Sequence, residues 1–208
     1  IPNLQALELL HALSIADGEA TGRAAWTDWK ASLVADLVKR VALAITDNTV
    51  ALQPELTQSQ RIKADSGALA VSIEDRDSVY AIEIVVPDKT GLLSIVAGVL
   101  NLLRLDVRSA RTKSHGNSAV MEWIVIPDPH APALTEKNLH HEIEEALRNK
   151  SSLAARIKER IEVYAQLPTI PVPDPVIETF LDAATDATII EVRSHDRPAL
   201  LFGVGDTI

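Results

Sequence analysis

Cysteine is absent from the 208-residue chain. That excludes disulfides, thiolate nucleophiles and cysteine-bound zinc together, and it fits a reducing, cytoplasmic setting. Aromatic residues make up only 3%, so a core drawn from the 47% of hydrophobic residues has to be aliphatic. Positive charge is in deficit: 20 Lys and Arg stand against 29 Asp and Glu, a formal net charge of -9. A phosphate backbone is repelled by such a balance, which argues against nucleic acid as a partner. Long apolar runs are missing too. None reaches the roughly 20 residues that a membrane-spanning helix needs, and no basic-then-apolar leader opens the chain. No membrane partner is expected. The chain starts at Ile1 without an initiator Met, and it reads as a piece of something longer. Its length allows one large domain or two small ones.

What is present centres on Ile82–Val96, which reads as a strand, a polar turn and a helix. Ile82, Ile84 and Val86 alternate on one strand face. Leu92, Ile95, Val96, Val99, Leu100 and Leu103 form one stripe of an amphipathic helix. Between them lies Asp88-Lys89-Thr90-Gly91. Asp88 or Thr90 can cap the helix, and Gly91 permits close backbone approach. A polar loop delivered onto a helix N-terminus offers amides to an anion or carboxylate.

Residues 3–16 predict a helix that is apolar almost all round and so buried on more than one side, ended by Asp17-Gly18. A second helix is expected from Ala24 to Ile45, with Trp26, Trp29, Leu33, Leu37, Val41 and Ala44 as its stripe. Two such helices look like the last part of a helical domain, here 1–46. Residues 47–68 turn polar and read as a linker, with room for a short helix from Pro54 to Ala64.

From Leu69 the period becomes two. A short strand, Ala68–Ile73, is followed by a turn at Glu74–Asp77 and a strand from Val79 to Val86. After the helix, which ends near Arg104, come strands at 106–113 and 118–126, joined at Ser114-His115-Gly116-Asn117. There Gly and Asn are expected to supply positive φ. The second of these strands is apolar on both faces and so central. A helix from Thr135 to Asn149 turns Leu139, Ile143, Ala146 and Leu147 inward, and 151–166 is a helical extension. With one more strand this order makes a ferredoxin-like βαββαβ module, giving an α+β domain at 69–166. Four prolines between 168 and 175 stiffen the connection that follows, 167–187. Val172 and Val176 can still pair there at a sheet edge.

The chain then repeats itself. IEIVVPDKTGLL at 82–93 recurs as IEVRSHDRPALL at 190–201. Ile82, Glu83, Asp88, Leu92 and Leu93 reappear as Ile190, Glu191, Asp196, Leu200 and Leu201, and Lys89 as Arg197. A repeated strand-turn-helix means one module used twice, with the second copy, 188–208, cut short inside its first helix. Ala199 replaces the glycine there, and Gly203 and Gly205 weaken the helix.

Val86–Leu93 with the hairpin after it resembles an ACT domain, and Ser194–Leu201 resembles the start of a second. Leu9–Gly22 and Ala25–Leu33 are similar to the end of the HD domain of PII uridylyltransferase/uridylyl-removing enzymes, whose C-terminal half runs HD end, linker, ACT, ACT. The resemblance implies a glutamine-sensing regulatory piece of a protein-PII nucleotidyltransferase, in which a small amino-acid effector meets Asp88, Lys89, Thr90, Gly91, Leu92, Asp196 and Arg197. It also implies PII as partner of the full-length enzyme, a possible ACT-mediated dimer, and Asp17 as the last metal ligand of a Mg2+-dependent or other divalent-metal HD site. This piece holds neither a nucleotidyltransferase motif nor an upstream His-Asp doublet. It is therefore expected to be catalytically silent, to hold no tight metal, and to bind effector weakly or not at all. The other reading of Asp17 is a turn residue beside Gly18; that of Asp88 and Asp196 is helix capping. Two rivals remain: an ACT regulatory region of an amino-acid biosynthetic enzyme, and an ACT-like dimerisation scaffold that binds nothing. His140 and His141 point apart, and His140 with Glu144 reads as a solvated face. His11 reads as a packed histidine.

Overall fold

The computed structural model describes residues 3–22, 26, 28–47, 55–76, 79–165, 173–180 and 188–207. They fall into two compact units, Ile1–Ser59 and Gln60–Ile208.

In the first unit α1 spans Leu4–Thr21 and α2 spans Asp28–Asp47. Asn3 caps α1 by accepting from the Ala6 amide at 2.8 Å. The helix does not stop at Asp17-Gly18. Gly18 is buried, and the Trp26 ring fills the place of its missing side chain: a Cβ there would lie 2.1 Å from Trp26 Cδ2. The break comes later, at Gly22, with φ +87°. The Trp26 amide, bonded to Gly22 O at 3.0 Å, therefore lies ahead of α2 rather than in it. Nor is α1 buried on several sides. Leu7 is enclosed, but Leu9, Leu10 and Leu13 are 66%, 49% and 65% exposed. The side chains of Trp29 and Leu33 lie outside the described residues.

The second unit begins within α3, Gln58–Asp65, the short helix expected in the linker. β1 (Ala70–Arg76), β2 (Val79–Pro87), α4 (Leu92–Leu102), β3 (Leu105–His115), β4 (Ser118–Pro127), α5 (Glu136–Arg148) and α6 (Lys150–Ala165) follow. The sheet order is β1-β2-β4-β3, antiparallel throughout. β4 is central, as its two apolar faces require. The module closes differently from expectation. Its edge strand beside β2 is β1, which precedes β2, so the order is ββαββα rather than βαββαβ. β1 runs on to Arg76 through the expected turn, paired residue for residue from Ala70↔Val85 to Arg76↔Val79. At the β3–β4 hairpin Gly116 has φ +56°, whereas Asn117 is not in the positive region.

One sheet face carries Ile82, Ile84, Val86, Ala119, Met121, Trp123 and Val125, all buried under α4, α5 and α6. The α4 stripe is buried as its spacing predicts: Leu92, Ile95, Val96, Val99 and Leu100 are each at most 5% exposed. Thr135 caps α5 through the Asn138 amide, and Leu139, Ile143 and Ala146 face inward. Of the extension, Leu153 and Ile157 are buried but Ile161 is 41% exposed; the Tyr164 side chain lies outside the described residues, as does Val172.

After Pro175 comes β5 (Val176–Phe180), paired antiparallel with β6 (Ile189–Arg193). Then α7 spans Leu200–Thr207. Val176 thus pairs at an edge, as expected. Arg193 bridges Glu191 at 2.6 Å and Glu178 at 2.5 Å across this ribbon. Its guanidinium holds the Glu191 carboxyl below the usual carboxylate range. The repeat is longer than its sequence motif: β1-β2-α4 recurs as β5-β6-α7. Among the described residues no helix is long and apolar enough to cross a membrane.

Candidate functional site

The first polar loop is used to build the fold. Gly91, not Asp88 or Thr90, is the N-cap of α4, and it makes no side-chain capping bond. Its φ of +78° is what calls for glycine, since an added Cβ would meet only Lys150 Nζ at 3.4 Å. The Asp88 amide donates to Asn117 O at 2.8 Å, and its carboxylate accepts from Ser114 Oγ at 3.2 Å. Asp88 thus staples the loop to the β3–β4 hairpin. Lys89 Nζ donates to Leu147 O at 2.9 Å in the last turn of α5, where helix carbonyls lack intrahelical donors. Thr90 is exposed. Leu92 is in the core, and its amide donates to Lys89 O at 3.3 Å. The α4 N-terminus is further covered by α7: a Cβ on Gly205 would stand 3.3 Å from Ser94 N.

The second loop copies the first in backbone and differs in surroundings. Leu200 N donates to Arg197 O at 3.2 Å, matching Leu92 and Lys89. Ala199 has φ +59°, the left-handed conformation of Gly91 at the equivalent place, despite its Cβ. We expect Gly91→Ala to keep the loop shape and cost about 1–2 kcal/mol, the penalty for a side chain in that region. Urea unfolding of the two chains measures it, and an unchanged midpoint would show the conformation to be unstrained.

Asp196 and Arg197 line a groove of about 990 Å³ between the second module and the first. Opposite them stand Leu93, Ala97 and Asn101 from the far face of α4, Arg104 from the turn after it, and the edge strand β3 from Leu105 to Thr112. α7 is held there by Ser94 Oγ, which donates to Phe202 O at 3.0 Å, and by Lys150–Asp206 at 2.5 Å. These two residues, Ser94 and Phe202, occupy equivalent positions of the repeat. The walls carry both signs of charge: Arg108 pairs with Asp106 at 2.7 Å and Arg104 with Asp128 at 3.7 Å. Asn101 Oδ1 is buried without a hydrogen-bond partner among the described residues. No histidine is among the residues that line the groove.

The candidate residues are therefore not brought together. Asp196 and Arg197 face the groove, while Asp88, Lys89, Thr90 and Gly91 lie at the other end of α4. Asn101, Arg104 and Arg108 were not foreseen as site residues. The spacing 93, 97, 101 puts the first of them on the α4 face opposite its core stripe, which was the available signal. Asp17 is an exposed residue within α1. Among the described residues no group of three or more His, Asp or Glu side chains can hold a metal ion. Asp17 is thus not part of such a group among the described residues.

Fold and groove define a class: an α+β chain whose four-stranded antiparallel module is followed by the beginning of a like module, with a groove where they meet. Over 95% of its length the chain is similar, at 36% identity, to the bifunctional uridylyltransferase/uridylyl-removing enzyme of Mycobacterium tuberculosis (strain ATCC 25618 / H37Rv). Over 96% it is 32% identical to the enzyme of that name from Streptomyces coelicolor, and over 96% it is 22% identical to that of Pseudomonas putida (strain KT2440). The chain spans only 26–30% of the length of these curated relatives. No family model matches it, and no solved structure does.

Proposed function

We propose that this chain is the effector-sensing part of a protein-PII nucleotidyltransferase, and that a small amino acid, glutamine first, binds in the groove between Arg197 and Asn101. The observation that carries this is the placement of the second polar loop. Asp196 and Arg197 face a groove of amino-acid size or larger, with the Arg197 guanidinium for a carboxylate and Asn101 Oδ1, without a partner among the described residues, for an N–H donor. A buried acceptor without a partner costs about 1–3 kcal/mol, which a bound ammonium or carboxamide N–H would recover. The relatives' names supply the enzyme context. In the longer protein, binding here would shift the balance between nucleotide transfer to PII and its removal. Sensing of that kind requires different effector affinities in two states.

Calorimetry with glutamine and a panel of other amino acids, on a chain that carries both modules complete, tests it. Heat is expected with glutamine, together with a rise in melting temperature that follows ligand concentration over affinity. Arg197→Ala is expected to weaken binding about tenfold, the loss of one charge-assisted contact. Silence with every amino acid, in a chain that carries both modules complete, would sink the sensing role and leave the dimerisation-scaffold alternative.

A further inference from the structure

The helix α3 is held to the sheet on the face away from α4 and the groove. Its eight residues are fewer than the roughly 12–15 that let a helix persist alone in water. Ile62 is 64% exposed, and Ala64 is the helix's one buried hydrophobic residue. Polar groups do most of the seating. Glu83 and Glu122 stand directly opposite each other on β2 and β4, a like-charge pairing that is unfavourable by itself. Gln60, only 6% exposed, donates from Nε2 to both, at 2.9 Å each. Lys63 Nζ donates to Glu83 Oε1 at 2.6 Å and to Ser72 Oγ at 2.9 Å. Ser118 Oγ donates to Ala64 O at 2.7 Å, and Asp65 meets the His115 ring at 3.2 Å. Arg111 faces Glu122 from β3. Val85 and Val120, paired on this same outer face, are 1% and 2% exposed. Gly67, with φ +66°, follows the helix as its turn into β1.

We propose that α3 is a releasable strap, folded only while seated on the Glu83–Glu122 pair and able to leave the sheet without unfolding it. Seated, it holds residues 58–69 against the sheet unit. Released, that segment joins the connection between α2 and β1 and lengthens its reach by up to about 3.3–3.6 Å per residue freed. Its departure uncovers Glu83, Val85 and Val120 on one face of the sheet. This does not depend on what the groove binds.

Hydrogen exchange on the full chain reads it residue by residue. Amides 62–66 are expected to be protected relative to an unstructured peptide, yet to exchange at least about tenfold faster than the central amides of β2 and β4, as a separately opening unit does. Lys63→Met should speed them about tenfold more, the loss of a charge-assisted bond, and leave β2 and β4 unchanged. The reversed pair, Lys63→Glu with Glu83→Lys, should restore protection. Exchange of α3 in step with β2 and β4 would overturn the proposal, as would peptide-like exchange in the unaltered chain. So would a Lys63→Met chain whose α3 is as protected as before.

Discussion

Leucine at Gly98 will lift α7 from α4 and abolish the effector binding proposed for the groove, while the four-stranded sheet stays folded. Gly98 lies where α4 is approached from two sides. A Cβ there would stand 2.8 Å from Ile157 Cδ1 on α6 and 2.8 Å from Phe202 Cδ2 on α7, with Leu153 Cδ2 at 3.2 Å. A single methyl asks only flexible side-chain ends to move, and the helix gains about 0.8–1.0 kcal/mol from losing glycine. Gly98→Ala is therefore expected to be near neutral. A leucine needs a volume that one neighbour must vacate, and overpacking of this kind costs about 1–3 kcal/mol. Which neighbour yields follows from how each is held. α6 anchors Leu153 and Ile157 in the core, each 2% exposed. α7 has no buried residue of its own and is carried by a two-stranded ribbon. α7 gives way, and Asp196 and Arg197 leave the groove with it. Hydrogen exchange of residues 200–207, set against β2 and β4, checks the displacement. Calorimetry checks the lost binding. A Gly98→Leu chain that kept α7 protected, or that unfolded as a whole, would show that the second module is seated by something other than this contact.

That second module shows where local pattern suffices and where it does not. The β-turn-α unit around Gly91 and its copy around Ala199 were both legible, because hydrophobic period and a repeated motif are local properties. So were the α4 stripe, the central place of β4 and the inward face of α5. The edge of the sheet was not. Whether β1 or a later strand sits beside β2 depends on pairing between distant segments, and a strand that is apolar enough fits either place. The continuation of α1 past Asp17-Gly18 escaped for the same reason: Gly18 reads as a breaker until the Trp26 ring is known to lie against it. In the first loop, the part Asp88 and Lys89 play in the fold was not legible, because a short polar loop at a helix start has the composition of a binding site as much as of a corner. Their actual partners, Ser114 and Leu147 O, lie 26 and 58 residues away. The groove is a product of that same long-range assembly. Arg197 stands out in the sequence through its repeat position, whereas Asn101 becomes notable only once its Oδ1 is seen buried and unmatched among the described residues.

Trp123→Ala will cost the sheet unit about 3–5 kcal/mol, whereas Trp123→Phe will cost less than half as much. Trp123 is the largest side chain in the core and is 0% exposed. It sits in β4 opposite Ile82 on one side and Ala110 on the other. Truncation to alanine leaves a cavity that a sheet paired on both sides cannot collapse around, which is the upper range of large-to-small losses. Against a total stability of about 5–15 kcal/mol that is a large fraction. The phenylalanine change differs in kind. Trp123 Nε1 is buried and has no hydrogen-bond partner among the described residues, so the native residue already bears a desolvation penalty of about 1–3 kcal/mol. Phenylalanine removes that orphan donor along with part of the ring, and the two effects offset. Urea unfolding with an unchanged slope measures both variants. If phenylalanine proved as costly as alanine, the indole N–H would have to be bonded in the folded chain.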